Sequence, residues 1–143
     1  RRGVRGLEES ERLEDFEMRE ILFRGKRVDN GEWVEGDFCH PSNICKESIG
    51  YDEQLKQSGI PIWEDYNIRT ETVGQYTGLT DKNGKKIFEG DIIKDRFDDI
   101  GQIEYKPKYV AFIIQGWETG FAFWVKKDIE VIGNIHDNPE LLK

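Results

Sequence analysis

The chain has 143 residues, a formal net charge of −8 and 36% hydrophobic residues, enough for one domain of ordinary size or a compact barrel with a large insertion. The negative charge works against nucleic acid, since binding a polyanion draws most of its affinity from neutralising phosphates. No apolar run approaches the roughly 18 residues of a spanning helix, and the N-terminus lacks an apolar signal core, so a soluble, unexported protein is expected.

Residues 1–17 are highly charged, with only Val4, Leu7, Leu13 and Phe16 apolar. Met18 then opens a β-patterned sequence. Met18 is read as the natural start, and the stretch before it as an upstream or vector-derived extension that forms a disordered tail or a marginal helix over Leu7 to Glu17.

From Arg19 the pattern becomes extended: Ile21 and Phe23 share a face, Asn30-Gly31 supplies a turn, and Trp33 and Val34 lead to Phe38. A hairpin is predicted. Between Cys39 and Arg69 periodicity breaks down around Pro41, Gly50, Gly59 and Pro61, so this part is read as a loop-rich insertion, with a helical turn or two over Asp52 to Gln57. Cys39 and Cys45 are too few for a disulfide framework and are read as free thiols of a reducing cytosol.

The densest structural information lies in Val73 to Asp95. Asn83-Gly84 tolerates positive φ between a Tyr76/Leu79 segment and an Ile87/Phe88 segment, which predicts a second hairpin. In Glu89-Gly90-Asp91 the glycine permits a bend before Ile92-Ile93 resume a strand. The order turn, apolar pair, Glu-Gly-Asp, apolar also occurs after Asn30-Gly31, which is read as turn chemistry used twice.

Strands then follow closely. Gly101 to Lys106 alternates, with Ile103 and Tyr105 expected inward. Tyr109 to Ile114 and Phe121 to Val125 are apolar on both faces, as central strands would be. Residues 116–120 read as a hairpin loop between them. Ile129, Val131 and Ile135 line one face of a final strand interrupted by Gly133. Asn138 and Pro139 predict a short C-terminal helical turn whose leucines, Leu141 and Leu142, seal one end. Short strands with little helix must close or be covered to hide their edges. The fold class is therefore read as mainly β: a small SH3-like barrel over 73–143, and an N-terminal β-hairpin region with its insertion over 18–72.

Three stretches carry a resemblance to a known family: residues 18–24 (MREILFR), 75–94 (QYTGLTDKNGKKIFEGDIIK) and 130–142 (EVIGNIHDNPELL). Together they bracket the chain from Met18, and they resemble the YopX-like proteins of bacteriophages and prophages. The resemblance implies an SH3-like barrel core with an N-terminal β-rich portion, in proteins of Gram-positive phages. It implies no activity and carries over no catalytic residue.

The candidate chemical groups are few. Cys39, His40 and Cys45 form one cluster of soft ligands, and His136 is the other histidine; the spacing fits no common zinc module. Cys39 beside His40 is a weak nucleophile pair, because a catalytic thiolate needs its base placed across space. Asp91, Asp95, Asp98 and Asp99 suit a cation in principle, but Asp98-Asp99 with Ile100-Gly101 better suits a β-turn. No residue is assigned a catalytic, cofactor-binding or metal-binding role.

Trp117, at a predicted loop tip between glycines, is the candidate partner contact. Lys106, Lys108, Lys126 and Lys127, with Tyr105 and Tyr109, form the nearest thing to a basic patch. The expected function is thus that of a phage accessory protein of the host bacterial cytoplasm, a non-enzymatic module that binds a protein partner such as a host factor. The alternative is a small nucleic-acid-binding barrel. Edge strands in so small a chain also lead to an expectation of self-association.

Overall fold

The computed structural model describes residues 19–39, 42–48, 62–115 and 128–143. Their strands are β1 Phe23–Arg27, β2 Trp33–Cys39, β3 Asn43–Ser48, β4 Ile62–Thr80, β5 Lys86–Phe88, β6 Asp91–Lys94, β7 Ile100–Lys106, β8 Ala111–Ile114 and β9 Glu130–Asn134, followed by a 3-10 turn Pro139–Leu142. No α-helix occurs among the described residues, and none of their helices is long and apolar enough to cross a membrane.

Both Asn-Gly turns fall where predicted. Gly31 (φ 73°) joins β1 to β2, with Lys26 opposite Trp33, and Gly84 (φ 80°) joins β4 to β5, with Thr80 opposite Lys86. Positive φ costs glycine nothing, so these tight reversals need no compensating contact.

β4 is the spine of the molecule because it changes partner along its length. Residues 62–67 pair with β3, residues 68–75 with β1, and Tyr76 and Thr80 with β5. β1 and β3 lie on opposite edges of it: the Val28 amide donates to Asn67 O, while the Ile68 amide of the same peptide unit donates to Ser42 O, both at 3.0 Å. Since β1 also pairs with β2, and β2 with β3, the four ladders return on themselves. Val34, Ile44 and Ile68 fill this ring, with Phe23, Phe38, Tyr66 and Val73 packed against them.

Within the β1–β4 ladder, the step from Arg24 to Lys26 spans Arg69 to Gly74 on β4, a bulge. Thr72 organises it, accepting from the Lys26 amide at 2.8 Å and donating to Arg69 O at 2.6 Å. The extra residues turn Glu71 and Val73 away from the regular ladder.

The second sheet has the order β8-β7-β6-β9. Its core is Ile87, Ile93, Ile103, Ile114, Ile129 and Val131, with Leu79 and Phe112 packed on it, so residues of the β4–β5 hairpin share one apolar cluster with β6 to β9. Asp81 ties the hairpin tip to this sheet. Its Oδ1 accepts from the Asn83 and Lys85 amides, and its Oδ2 from the Val131 amide at 3.0 Å. The Lys82 amide donates to Ile129 O beside it, so the hairpin tip covers the outer edge of β9.

Several expectations need correction. Cys39 and Cys45 are not free thiols but are joined by a disulfide, their Cα atoms 6.3 Å apart; β2 and β3 are adjacent and antiparallel, which brings the two cysteines together across the hairpin. Tyr105 is 43% exposed instead of inward, because the end of β7 runs past the core that Ile103 fills. The apolar run Tyr109 to Ile114 is a strand only from Ala111, and β8 stands at one end of the sheet among the described residues; Tyr109 and Val110 belong to an exposed turn. Leu142 is 43% exposed and the 3-10 turn buries no residue, so its leucines do not seal a core.

A boundary between residues 72 and 73 falls inside β4, which runs through it unbroken. The extension 1–17, the turn expected over Asp52 to Gln57, the loop 116–120 and the strand Phe121 to Val125 lie outside the described residues.

Candidate functional site

The two sheets meet where β1 crosses the start of β6. Arg24 Nη2 lies 2.6 Å from Asp91 Oδ1, with the side chains only 10% and 1% exposed. Asp91 Oδ2 accepts from the Phe88 amide at 2.7 Å, and the Arg24 guanidinium is sandwiched 4.6 Å from the Trp33 ring and 4.7 Å from the Phe88 ring. A delocalised guanidinium suits such a place, since it pairs with a carboxylate while stacking on aromatic faces. Burial raises the Asp91 carboxyl above the ordinary range, while Arg24 and the Phe88 amide oppose that rise.

Beside this pair the C-terminal turn is pinned by Asp137. It accepts from Lys26 Nζ, from Trp33 Nε1 at 2.7 Å and from Asn134 Nδ2 at 3.1 Å. These donors, Lys26 first and Trp33 next, hold its carboxyl at about 2. His136, next in the chain, has its ring centroid 5.9 Å from that of Trp33. Its pKa is lowered by burial first and then by the Arg24 charge, so the neutral imidazole is favoured.

On the other side of His136 opens a cleft of about 350 Å³. The β4 bulge contributes Glu71 and Val73, the β5–β6 bend Glu89 and Gly90, β7 the run from Gln102 to Tyr105, and the segment after β9 Ile135 and His136. Gly90 (φ 90°) makes the bend, which is bonded on both sides: its amide donates to Ile103 O at 2.8 Å, and its carbonyl accepts from the Ile135 amide at 2.9 Å. The floor is therefore fixed by backbone, and Glu71, Glu89 and Glu104 reach the lining from three separate elements.

Their charges are poorly compensated. Among the described residues the lining includes no lysine or arginine. Glu104 Oε1 lies 3.2 Å from Lys106 Nζ, an ion-pair distance without hydrogen-bond alignment. Burial pushes the Glu89 carboxyl up, as expected for a carboxylate losing water without gaining a donor. Cavities of this size suit small ligands or single side chains.

The residues singled out from sequence lie elsewhere. Trp117, Lys126, Lys127 and His40 are outside the described residues. Lys106 pairs with Glu104, Lys108 Nζ sits 5.5 Å from the Tyr109 ring centroid, and Tyr105 packs edge-on against Phe112 at 5.4 Å. Asp91 is engaged by Arg24, and Asp95 accepts from the Phe97 and Asp99 amides; the turn between β6 and β7 lies over Asp95 to Asp98 and not over Asp98 to Gly101 as expected, because Ile100 and Gly101 already pair with β6. Among the described residues no group of three or more His, Cys, Asp or Glu is placed to hold a metal ion. Tyr105, named for another reason, does line the cleft. Glu71, Glu89, Glu104 and His136 as a group went unnoticed, because nothing local in sequence marks residues that meet only through a bulge and a bend.

The family model described as YopX protein matches residues 22–143. The crystal structure of protein EF1440 from Enterococcus faecalis is similar, with a TM-score of 0.56 and 25% sequence identity, over 88% of this chain and 100% of that one. Among curated proteins none matches.

Proposed function

Because the chain belongs to the YopX protein family, and because four of its aspartates, two of them buried, are engaged in holding the fold, we propose that it is a phage-encoded accessory protein that works by binding a protein partner and not by catalysis. The observation that carries this reading is the engagement of Asp81, Asp91, Asp95 and Asp137 by backbone amides or by Arg24, Lys26 and Trp33. Acids and bases used in this way are not held ready for proton transfer to a substrate. Large apolar side chains, meanwhile, stand at both ends of β7: Phe97 on one turn and Tyr109 and Val110 on the other are 61–78% exposed.

The C-terminal half is read as the SH3-like barrel expected from sequence. In support, the β4–β5 hairpin shares its core with β6 to β9 and bonds to the edge of β9. The site of action under this reading is the host cytoplasm. The nucleic-acid alternative has less behind it, since Lys106 faces Glu104 and the neighbouring cleft is acidic. Self-association through strand edges loses several candidates, because β1 to β4 close on themselves and the Asp81 turn covers β9.

The test is recovery of tagged protein from host cells. A second polypeptide at stoichiometric level, retained through washing, is expected. Turnover of a substrate by the purified protein, with no such polypeptide, would overturn the reading.

A further inference from the structure

We propose that the cleft over β7 is where the partner is held, and that its occupant is a cationic side chain with an apolar stem: an arginine or lysine of an extended basic segment of a polypeptide. The inference rests on the reading of the protein as a binding module and names the chemistry of the bound group.

Two features of the cavity select this occupant. The first is size: about 350 Å³ is ample for one long side chain and falls at the small end of ligand pockets. The second is the order of its surfaces. Val73 and Ile135, both partly exposed, offer apolar wall, whereas Glu71, Glu89 and Glu104 offer carboxylates. A group with methylenes behind a terminal charge meets both surfaces at once.

The charge arrangement narrows the choice further. With Lys106 reaching only Glu104, Glu71 and Glu89 have no cation paired to them among the described residues. Burial already disfavours the charged form of Glu89, so a cation entering the cleft gains a carboxylate poorly served by water. The carboxylates come from different elements and do not form a group placed for a metal ion among the described residues, whereas a guanidinium fork can engage oxygens in more than one direction. The overall charge of −8 attracts a basic segment from a distance and repels nucleic acid.

The experiment titrates the isotopically labelled protein with three probes followed by NMR: a capped tetra-arginine peptide, a capped tetra-glutamate peptide and spermidine. Saturable shifts of the Glu71, Glu89, Gln102, Glu104 and His136 amides with the arginine peptide alone are expected. The double variant Glu71→Gln/Glu104→Gln should weaken that binding by roughly tenfold, the loss expected when charge-assisted bonds are removed. The exposed control Glu140→Gln should leave it unchanged.

Shifts that scatter over the surface, or that respond equally to both variants, reduce the effect to general attraction and overturn the assignment. Stronger binding of spermidine than of the peptide overturns the polypeptide occupant. If the arginine peptide fails while a stoichiometric polypeptide still copurifies equally with wild type and double variant, the cleft inference falls and the binding-module reading stands. Absence of both defeats the two together.

Discussion

Arg24 on β1 and Asp91 at the start of β6 form a buried ion pair at 2.6 Å, 67 residues apart in sequence, and through it the two sheets are joined. A buried pair contributes little relative to an apolar replacement, but breaking it strands a charge away from water. Asp91 is engaged twice, by Arg24 and by the Phe88 amide, so it fixes the Gly90 bend as well as the seam.

Removing either partner alone, as Arg24→Met or Asp91→Leu, should therefore destabilise the protein by about 3–5 kcal/mol. The double variant should recover a large part of that loss. Urea unfolding with a double-mutant cycle checks both statements, and additive losses would mean that the two residues act independently.

Asp137 gives the fold an acid-sensitive clasp. Its carboxyl is held at about 2 by Lys26 and Trp33, against an ordinary value of 3.8. A depressed carboxylate contributes stability that is present above the unfolded value and lost as pH falls through the folded one. The stability difference between wild type and Asp137→Asn should thus be full at pH 6 and shrink between pH 4 and pH 2, as read by urea midpoints across that range.

His136 acts in the same direction at higher pH. Its folded pKa is lowered from 6.5, first by burial and then by Arg24, so the unfolded chain takes up a proton earlier than the folded one. Stability should fall as pH drops from 7 to 5, and His136→Gln should flatten that part of the profile. Thermal unfolding of the two proteins at matched ionic strength measures it.

Gly74 on β4 packs directly under the bend that carries Glu89. A Cβ placed there would sit 2.5 Å from the Glu89 carbonyl oxygen, a backbone atom with little room to retreat. Gly74→Ala should cost about 1–3 kcal/mol of stability through this overpacking. The exposed Gly84, where a Cβ would meet nothing within 4 Å, is a control for steric clash but not for strain, since its φ is 80°.

The legible parts of the fold were local. Asn30-Gly31 and Asn83-Gly84 marked their turns, Gly90 its bend, and the alternation around Ile103 its strand, because each signal lies within a few residues of its consequence. The closed ring of β1 to β4 was not legible, since it depends on β4 pairing first with β3 and then with β1, and the partners are set by packing across the molecule. The disulfide had a signal that went unused: two cysteines six apart around Pro41 fall on the two strands of a hairpin, diagonal to one another and within bridging distance. Tyr105 shows the limit of periodicity, which assigns a face correctly but not the point at which a strand leaves the core. The cleft was invisible for the same reason as the ring. Glu71 reaches it by a bulge, Glu89 by a bend and Glu104 by a strand.

The account turns on the cleft being the place where another polypeptide is gripped. The most direct measurement places a photoreactive amino acid at Gln102, on the cleft lining, irradiates host cells producing the variant, and identifies the adduct by mass spectrometry. The account predicts one dominant crosslinked polypeptide, joined through a segment rich in arginine or lysine and absent when the photoreactive group is at Glu140. No adduct, or the same adducts from both positions, would contradict it.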